Sequence, residues 1–276
     1  MAHTYVLGHT GRELDRLDLQ GLLYRDTTER CFGDAGLETG MRVLDVGCGS
    51  GDVSRLAGRM VGSTGYVLGI DRDAGSVETA RARTAAAGLH HVHFQTAAAG
   101  TQLDEAPFDA LVGRFILMHQ ADPALMLRTL LPLLRPGALV AFVESSAVTL
   151  RDGLQSRPDA PLYRAVVEWK TRVIASAGAD TEAGLRLGEV FVEAGLPRPT
   201  LRLEARLEGG PDSPLDRYMV ESVRSMAPQA AAAGLSTDPL EPLDTLEARL
   251  REEALSEGGF RVLWPTVSAW TRLPRA

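Results

Sequence analysis

The sequence has few cysteines, few aromatic residues and none of the common zinc-binding motifs. Only Cys31 and Cys48 occur among 276 residues, and two cysteines cannot build a disulfide framework or a cysteine-rich metal site. No HExxH or CxxC pattern is present. His90, His91 and His93 alternate along a short segment, which favours a solvated strand edge over a metal site. We therefore expect no bound metal.

Long apolar runs are also missing. No segment approaches the roughly 18–20 apolar residues that a membrane span needs, and the longest candidate, Ala138–Val143, has the length of a buried strand. Residues Met1–Tyr5 contain neither a basic stretch nor an apolar segment, which predicts that there is no signal peptide. We expect a cytoplasmic protein with no membrane partner.

Positive charge is in deficit, with a net charge of -7 and Lys170 as the single lysine. A nucleic-acid partner would need a clustered basic face, so we expect none. The preference for arginine over lysine is typical of a GC-rich bacterial genome. Hydrophobic residues make up 45% and charged residues 24% of the chain, which indicates a folded protein. The length fits one α/β domain of roughly 200–250 residues with appended helices.

Short apolar runs alternate with helical patterns in the first half of the chain. Such alternation predicts βαβ units with right-handed crossovers, and hence a Rossmann-like parallel sheet. The predicted strands are residues 41–46, 65–70, 92–94, 108–112 and 138–143. Ahead of them, the first 40 residues predict two helices, about 13–23 and 27–35, with Thr10 as an N-cap of the first.

The second half of the chain predicts helices at 162–177 and 182–194, and a helical insertion between Gly209 and Gly259. Strictly alternating runs at 201–207 and 266–272 predict two strands that pair antiparallel at the sheet edge. The expected domains are an N-terminal helical cap (1–38), a Rossmann-like core (39–208), a helical lid insertion (209–259) and a final edge strand of the core (260–276).

A glycine-rich turn follows the first predicted strand, with glycines at 47, 49 and 51. A backbone without side chains can press against a ligand and can adopt positive φ. The helix that follows directs its N-terminal N–H groups to the same place, which suits an anionic group such as a carboxylate.

The spacing of this turn separates two kinds of ligand. A dinucleotide fold requires G-x-G-x-x-G, but the sixth position here is Asp52, which would face pyrophosphate with like charge. Asp45 adds further negative charge two residues before Gly47. The site therefore suits a ligand with a cationic part. The pattern Asp-x-Gly-x-Gly-x-Gly is that of S-adenosylmethionine binding.

Asp71 ends the second predicted strand, 20 residues after Gly51. A carboxylate at this place can accept both ribose hydroxyls of an adenosine. The alternative is that Asp71 caps the next helix, but Asp73 fits that N-cap better. We therefore favour the ribose role for Asp71.

With these features the sequence resembles the class I, Rossmann-like S-adenosylmethionine-dependent methyltransferases, and more narrowly their small-molecule group related to ubiquinone and menaquinone methyltransferases. The resemblance covers about residues 37–145. It rests on Val43–Gly51, Gly69–Asp71, Phe108–Val112 and Leu133–Gly137. It implies a three-layer α/β fold with a seven-stranded sheet whose last strand is antiparallel, and S-adenosyl-L-methionine as cofactor.

The resemblance also implies roles for individual residues. Around the methionine part of the cofactor it places Asp45, Gly47 and Gly49, and it gives Asp71 the ribose and Arg72 the adenine. The turn with Arg114 and Phe115 would line the sulfonium side, and Gln20 would reach the cofactor from the N-terminal helix. The family's usual Gly-Asp after the third strand is Ala97-Ala98 here, so Ala98 would lie near adenine. The adenine would then be held by backbone groups, by Thr101 or by apolar contact.

His119 is the best candidate for a general base, because it follows the fourth strand at the edge of the sheet where ligands bind. A structural role for His119 is the alternative. Glu144 could face the pocket, form an ion pair or cap a helix. Arg114 could bind the cofactor carboxylate or an acidic substrate, or form a structural ion pair.

The expected partner is a small-molecule methyl acceptor, a secondary metabolite or a quinone-like compound, and the chain could form a homodimer. Tyr218 and Met219, with Tyr5 and Tyr24, would line a lid over the acceptor, or else form core contacts or a dimer face. Two other functions stay open at this point. One is a non-methylating protein of the same fold, a cyclase or a binding protein; the other is a nicotinamide-dependent oxidoreductase.

Overall fold

The computed structural model describes residues 11–147, 155–255 and 259–275. The predictions that involve Tyr5 and Thr10 lie outside these residues. Across the described ranges, no helix combines the length and the apolar character that a membrane crossing requires.

Eight helices and ten strands are described, with short 3-10 turns at Leu117–His119, Leu131–Leu133 and Asp238–Leu240. The helices are α1 (Gly11–Ala35), α2 (Asp52–Val61), α3 (Ala74–Ala86), α4 (Pro123–Leu130), α5 (Pro161–Ser176), α6 (Ala183–Glu193), α7 (Leu215–Ala232) and α8 (Leu246–Leu255). The strands are β1 (Arg42–Val46), β2 (Tyr66–Asp71), β3 (Val92–Thr96), β4 (Phe108–Arg114), β5 (Leu134–Ser145), β6 (Ser156–Arg157), β7 (Thr200–Glu204), β8 (Leu207–Glu208), β9 (Phe260–Val262) and β10 (Thr266–Arg272).

Seven strands form one sheet in the order β3-β2-β1-β4-β5-β10-β7. The neighbours from β3 through β5 are parallel. The N–H of Leu273 donates to Ala138 O, and the N–H of Gly137 donates to Pro274 O, so the last strand runs antiparallel to β5. The predicted seven-stranded sheet with an antiparallel last strand is confirmed.

The edge position predicted for residues 260–276 is wrong, because β10 lies between β5 and β7 and the edge strand is β7. The strand predicted at 201–207 is also too long, since β7 ends at Glu204. Leu207 and Glu208 belong to a second sheet, of order β6-β9-β8. The alternating pattern continues across a change of sheet, which explains the error.

The central strands of the main sheet are covered on both faces, and successive side chains of a strand point to opposite sides. Leu44 and Val46 of β1 lie in a cluster with residues of α4 and α6. Val43 lies in a cluster with residues of α1, α2 and α3. This is the three-layer α/β arrangement that the sequence predicts.

One continuous helix, α1, replaces the two helices predicted before residue 40. The predicted break falls near Thr27 and Thr28, which are weak helix formers. In the structure the hydroxyl of Thr28 donates to Tyr24 O. Tyr24 and Phe32 are buried and lie on the apolar face of the helix. Burial of this face outweighs the weak local propensity.

The chain forms two compact units. The first comprises residues up to Leu23, Ser145–Glu182 and Glu204–Thr266, and the second comprises Tyr24–Glu144, Ala183–Leu203 and the residues from Val267 onward. Residues 145–182 and 204–208, expected in the core, thus group with the insertion.

Contacts within the first unit explain this grouping. The Trp169 indole N–H donates to Ser236 O at 2.8 Å, and the Tyr163 hydroxyl donates to Val262 O at 2.7 Å. Tyr218 and Met219 are 4% and 1% exposed, so they make the core contacts that were the alternative to a lid. The lid role of residues 209–259 stays a prediction.

Candidate functional site

The glycine turn lies in the second unit, where β1 and β2 end side by side. The N–H groups of Gly47 and Cys48 both donate to Ile70 O, at 2.8 and 3.0 Å. These two bonds tie the turn to the end of β2. In a doubly wound sheet this edge, at the carboxyl ends of the parallel strands, is where ligands bind.

All three glycines of the turn have positive φ, but they differ in whether a side chain would find space. Gly47 has φ 68° and Gly51 has φ 78°, and a Cβ at either would lie within 3 Å of a side chain, that of Ile116 or that of Phe94. Gly49 has φ 50°, and no atom lies within 4 Å of a Cβ built there. Close packing therefore requires Gly47 and Gly51, whereas Gly49 leaves its backbone open to a ligand.

Asp71 joins the turn to the start of α3. Its Oδ2 accepts the Gly49 N–H at 2.9 Å and its Oδ1 accepts the Asp73 N–H at 3.0 Å. Each carboxylate oxygen has a further lone pair for a ligand. Asp73 is the N-cap of α3 and accepts the Ser76 N–H at 2.6 Å. The cap role therefore belongs to Asp73, as the sequence predicts.

Asp45 lies beneath the turn and is 1% exposed. Its Oδ2 accepts the Ser54 hydroxyl at 2.5 Å. Burial raises the pKa of Asp45 from its usual 3.8 to about 7, and the bond from Ser54 opposes this rise. Asp52 and Asp71 raise the pKa further and Arg114 lowers it. The turn is thus surrounded by three carboxyl groups and one guanidinium, which favours a ligand that carries positive charge.

Arg114 forms an ion pair with Asp52, the first residue of α2, and its Nη1 donates to the Thr28 hydroxyl at 3.1 Å. The structural ion pair, one of the roles considered for Arg114, is therefore present. Phe115 follows with φ 55° and packs edge-on against Tyr24 with ring centroids 4.9 Å apart. The ion pair of Arg114 with Asp52 thus ties the end of β4 to the start of α2, and the contact of Phe115 with Tyr24 ties the turn after β4 to α1.

Glu144 and His119 lie at the same edge of the sheet. The fully buried Glu144 accepts the N–H groups of Ile116 and Leu117 at 2.8 and 2.7 Å. It therefore caps the 3-10 turn Leu117–His119, which is one of the roles considered for it. His119 ends this turn and is partly exposed, with its N–H donating to Ile116 O.

The residues predicted around adenine follow β2 and β3. Ala97 follows β3, and its N–H donates to Asp71 O at 2.9 Å. Ala98 and Arg72 are exposed beside this bond. Gln20 belongs to the first unit, where it accepts a bond from Arg16 Nη1 at 2.5 Å. Its predicted contact with a cofactor stays a prediction.

The sequence analysis missed Ser54 and Thr28, which hold Asp45 and Arg114. Thr28 lies 86 residues from Arg114 along the chain, so no local pattern reveals the contact. Ser54 could have been found, because it lies one turn into the helix that follows the glycines. No group of three or more His, Cys, Asp or Glu side chains in the described part of the chain could hold a metal ion.

The sheet order, the glycine turn and the acid at the end of β2 define the Rossmann-like fold of S-adenosylmethionine-dependent methyltransferases. A family model described as a methyltransferase domain matches residues 37–194. The chain belongs to this methyltransferase domain family, and the match includes the site residues of β1 to β5 and the turns that follow them, whereas Gln20, Tyr24 and Thr28 of α1 lie outside it.

Curated relatives agree with this assignment over part of the chain. Demethylmenaquinone methyltransferase of Staphylococcus aureus is 33% identical over 123 residues, 44% of this chain and 50% of the relative. The protein of the same name from Lactococcus lactis is 30% identical over 46% of this chain and 50% of its own length. An uncharacterized methyltransferase of Mycobacterium bovis is 38% identical over 41% of this chain and 54% of its own length. The chain thus spans about half the length of the curated relatives it matches.

Solved structures share the fold over most of the chain. A putative methyltransferase from Bacillus halodurans aligns with a TM-score of 0.58 and 15% identity over 90% of this chain and 98% of its own. The YcgJ protein of Bacillus subtilis aligns with a TM-score of 0.57 and 15% identity over 91% and 100%. The 4+2 cyclase SpnF aligns with a TM-score of 0.50 and 20% identity over 91% and 82%.

Proposed function

We propose that this chain binds S-adenosyl-L-methionine at the glycine turn and transfers its methyl group to a small molecule. The observation that carries the proposal is the bond from the Gly49 N–H to Asp71, at 2.9 Å, beside an unobstructed backbone. Asp71 thereby presents a carboxylate at the point where the open backbone meets the end of β2. Membership of the methyltransferase domain family supports this interpretation.

The charges around the turn fit this ligand. S-adenosylmethionine carries a sulfonium and an ammonium group, and Asp45, Asp52 and Asp71 outnumber the single Arg114 around the turn. The N–H groups at the start of α2 suit the carboxylate of the methionine part. A nicotinamide dinucleotide would instead bring its pyrophosphate against these acids, so we place the oxidoreductase alternative second.

The proposed roles follow from these positions. Asp71 accepts the ribose hydroxyls on its remaining lone pairs, and Gly47 and Gly49 allow close backbone approach, with Asp45 beneath the methionine part. Arg72 and Ala98 flank the adenine, and Phe115 completes the binding site within the second unit, while the contact of Gln20 with the cofactor stays a prediction. Because Arg114 is paired with Asp52, its role is to fix the start of α2, and a direct contact with the cofactor carboxylate would be additional.

When bound, the cofactor supplies a methyl carbon already activated by the sulfonium. The protein then has to align the acceptor with that carbon, and positioning of this kind can contribute about 7–11 kcal/mol. A general base contributes about 10²–10⁴-fold. We assign that secondary role to His119, which follows β4 at the same edge of the sheet.

We propose a secondary metabolite or a quinone-like compound as acceptor. Two of the relatives are named demethylmenaquinone methyltransferases, which supports a small-molecule acceptor of this class. We also propose that this activity is cytoplasmic.

The direct test is equilibrium binding of S-adenosylhomocysteine by calorimetry, with NADH as the competing ligand. We expect Asp71→Asn to weaken S-adenosylhomocysteine binding at least about tenfold, equivalent to 1.4 kcal/mol, because one ribose acceptor is lost. Asp73→Asn is the matched control, two residues away at the start of α3, because asparagine also caps helices well. That variant should bind as the unaltered chain does.

Tight NADH binding without S-adenosylhomocysteine binding would contradict the proposal. Incubation with methyl-labelled cofactor and a panel of phenolic and quinol acceptors tests the transfer itself. Cofactor binding with no label transferred to any acceptor, but with turnover of a cyclisation substrate, would support the non-methylating alternative.

A further inference from the structure

Large apolar side chains lie half exposed on α6 and β7. Leu185 and Val192 of α6 are 52% and 48% exposed, and Leu201 and Leu203 of β7 are 50% and 53% exposed. Among the seven large apolar side chains that the described residues expose, these are four. A concentration of this kind on one helix and one strand marks an interaction surface more often than chance exposure does.

These side chains form one continuous surface. Leu185, Gly188 and Val192 follow each other at intervals of three and four residues, so they lie on one face of α6. A Cβ at Gly188 would lie 3.3 Å from Leu201 Cδ1, which places this face of the helix against β7. We call these residues, together with Leu203, the α6–β7 surface.

β7 is the last strand in the order of the main sheet. Proteins usually protect such an edge with proline, lysine or inward-pointing charges, but β7 reads Thr-Leu-Arg-Leu-Glu and has none of these on the face that carries the leucines. Its arginine, Arg202, lies on the other face, paired with Asp34 and over the Trp270 ring at 5.2 Å. The leucine face is therefore free of charge along the whole strand.

The charges of β7 are complementary to those of a second β7 strand. An antiparallel pair with Leu203 opposite its own copy places Arg202 opposite Glu204 of the second strand, and the reverse, because residues directly opposite share a face. The neighbouring register, centred on Arg202, would set two arginines against each other. Charge thus selects one antiparallel register, which is symmetric about a two-fold axis.

From these observations we propose that the α6–β7 surface is the interface of a homodimer, in which the β7 strands of two copies pair antiparallel around Leu203. Pairing would satisfy the outer backbone groups of β7 and cover Leu201 and Leu203 in both copies. The adjoining face of α6 is compatible with the same symmetry, because Arg186 and Glu189 beside Gly188 carry opposite charges.

Analytical ultracentrifugation across a range of concentrations tests this proposal. We expect the unaltered chain to dimerise, and Leu203→Lys to raise the dissociation constant at least about tenfold, because two lysines would face each other at the centre of the pair. Leu125→Lys is the matched control, since Leu125 is 51% exposed on α4. Circular dichroism checks that both variants retain the fold.

Charge reversal and cross-linking test the register. Arg202→Glu or Glu204→Arg alone should weaken the dimer, and the double variant should restore it at least in part. Leu203→Cys should form a symmetric disulfide-linked dimer under mild oxidation, because opposite Cα atoms in an antiparallel pair are about 4.5–5.5 Å apart, within disulfide range. Cys31 and Cys48 are buried, and Leu125→Cys serves as the control.

A chain that stays monomeric at high concentration would overturn the proposal. So would a dimer that Leu203→Lys leaves intact, because a different surface would then form it. If Leu203→Lys abolished binding of another protein while the unaltered chain stayed monomeric, the surface would serve a heterologous partner and the homodimer would be excluded.

Discussion

Asp45 is the buried acidic residue of the site, and its pKa is strongly raised. It is buried beneath the glycine turn with Ser54 as its hydrogen-bond donor, while Arg114 is bonded to Asp52 and Thr28. A buried carboxyl group without a direct cation favours its neutral form. Because its pKa lies near 7, the charge of this site changes within the physiological range of pH.

We predict a pH dependence of stability that belongs to Asp45. Between about pH 4 and 7 the folded chain retains the Asp45 proton that the unfolded chain has lost, so the free energy of unfolding falls as pH rises. The loss reaches at most about 4 kcal/mol, since each pKa unit corresponds to 1.36 kcal/mol, and it levels off above pH 7.

Urea unfolding of the unaltered chain and of Asp45→Asn, at several values between pH 5 and 8, measures this effect. Asparagine keeps an acceptor for Ser54 but does not titrate, so the difference in unfolding free energy between the two proteins should grow in favour of the variant as pH rises. Parallel pH profiles would show that Asp45 is ionised in the folded chain throughout this range.

At the scale of elements, the turn between β1 and α2 positions the site. Two of its glycines fit against Ile116 and Phe94, and the third leaves its backbone open. The distinction matters for mutagenesis, because a side chain at Gly47 or Gly51 would disturb packing before it reached any ligand. Of the three glycines, Gly49 is the one at which a substitution can weaken ligand binding without a clash against the packed core.

Gly49→Ala should therefore reduce S-adenosylhomocysteine affinity at least about tenfold and cost about 1–2 kcal/mol of stability through its left-handed backbone. Gly88→Ala is the matched control: Gly88 has φ 69° and likewise no atom within 4 Å of a Cβ, but it follows α3, away from the turn. Calorimetry and thermal unfolding of both variants should show similar losses of stability and a loss of affinity in Gly49→Ala alone. Equal affinities would mean that no ligand approaches Gly49.

The elements that could be predicted from the sequence are those with strong local signals. The run from Val43 to Gly51 and the acid at Asp71 indicated the turn and its partner, because strand, glycine and carboxylate follow at fixed spacing. The cap by Glu144 was one of three roles left open, because 28 residues separate Glu144 from Ile116 and no local pattern selects among them. The joining of residues 145–182 to the insertion depends on contacts between residues still farther apart along the chain, such as Trp169 with Ser236.

At the scale of the whole molecule, the family match from residue 37 to residue 194 accounts for β1 to β5 and for the site at their carboxyl ends. The first unit includes most of the chain outside this match. It also contains the buried Lys170, which lies inside the match and donates to the Tyr218 hydroxyl at 2.8 Å; burial lowers the pKa of that lysine. The curated relatives named above match only 41–46% of this chain, so more than half of the molecule lies outside those alignments.

The most direct test of the account is a crystal structure of the chain grown with saturating S-adenosylhomocysteine. We predict that the ribose hydroxyls bond to the Asp71 carboxylate and that the sulfur-bearing chain lies along Gly47 and Gly49. A ligand bound elsewhere, or a glycine turn without ligand at saturating concentration, would contradict the assignment of this turn as the cofactor site.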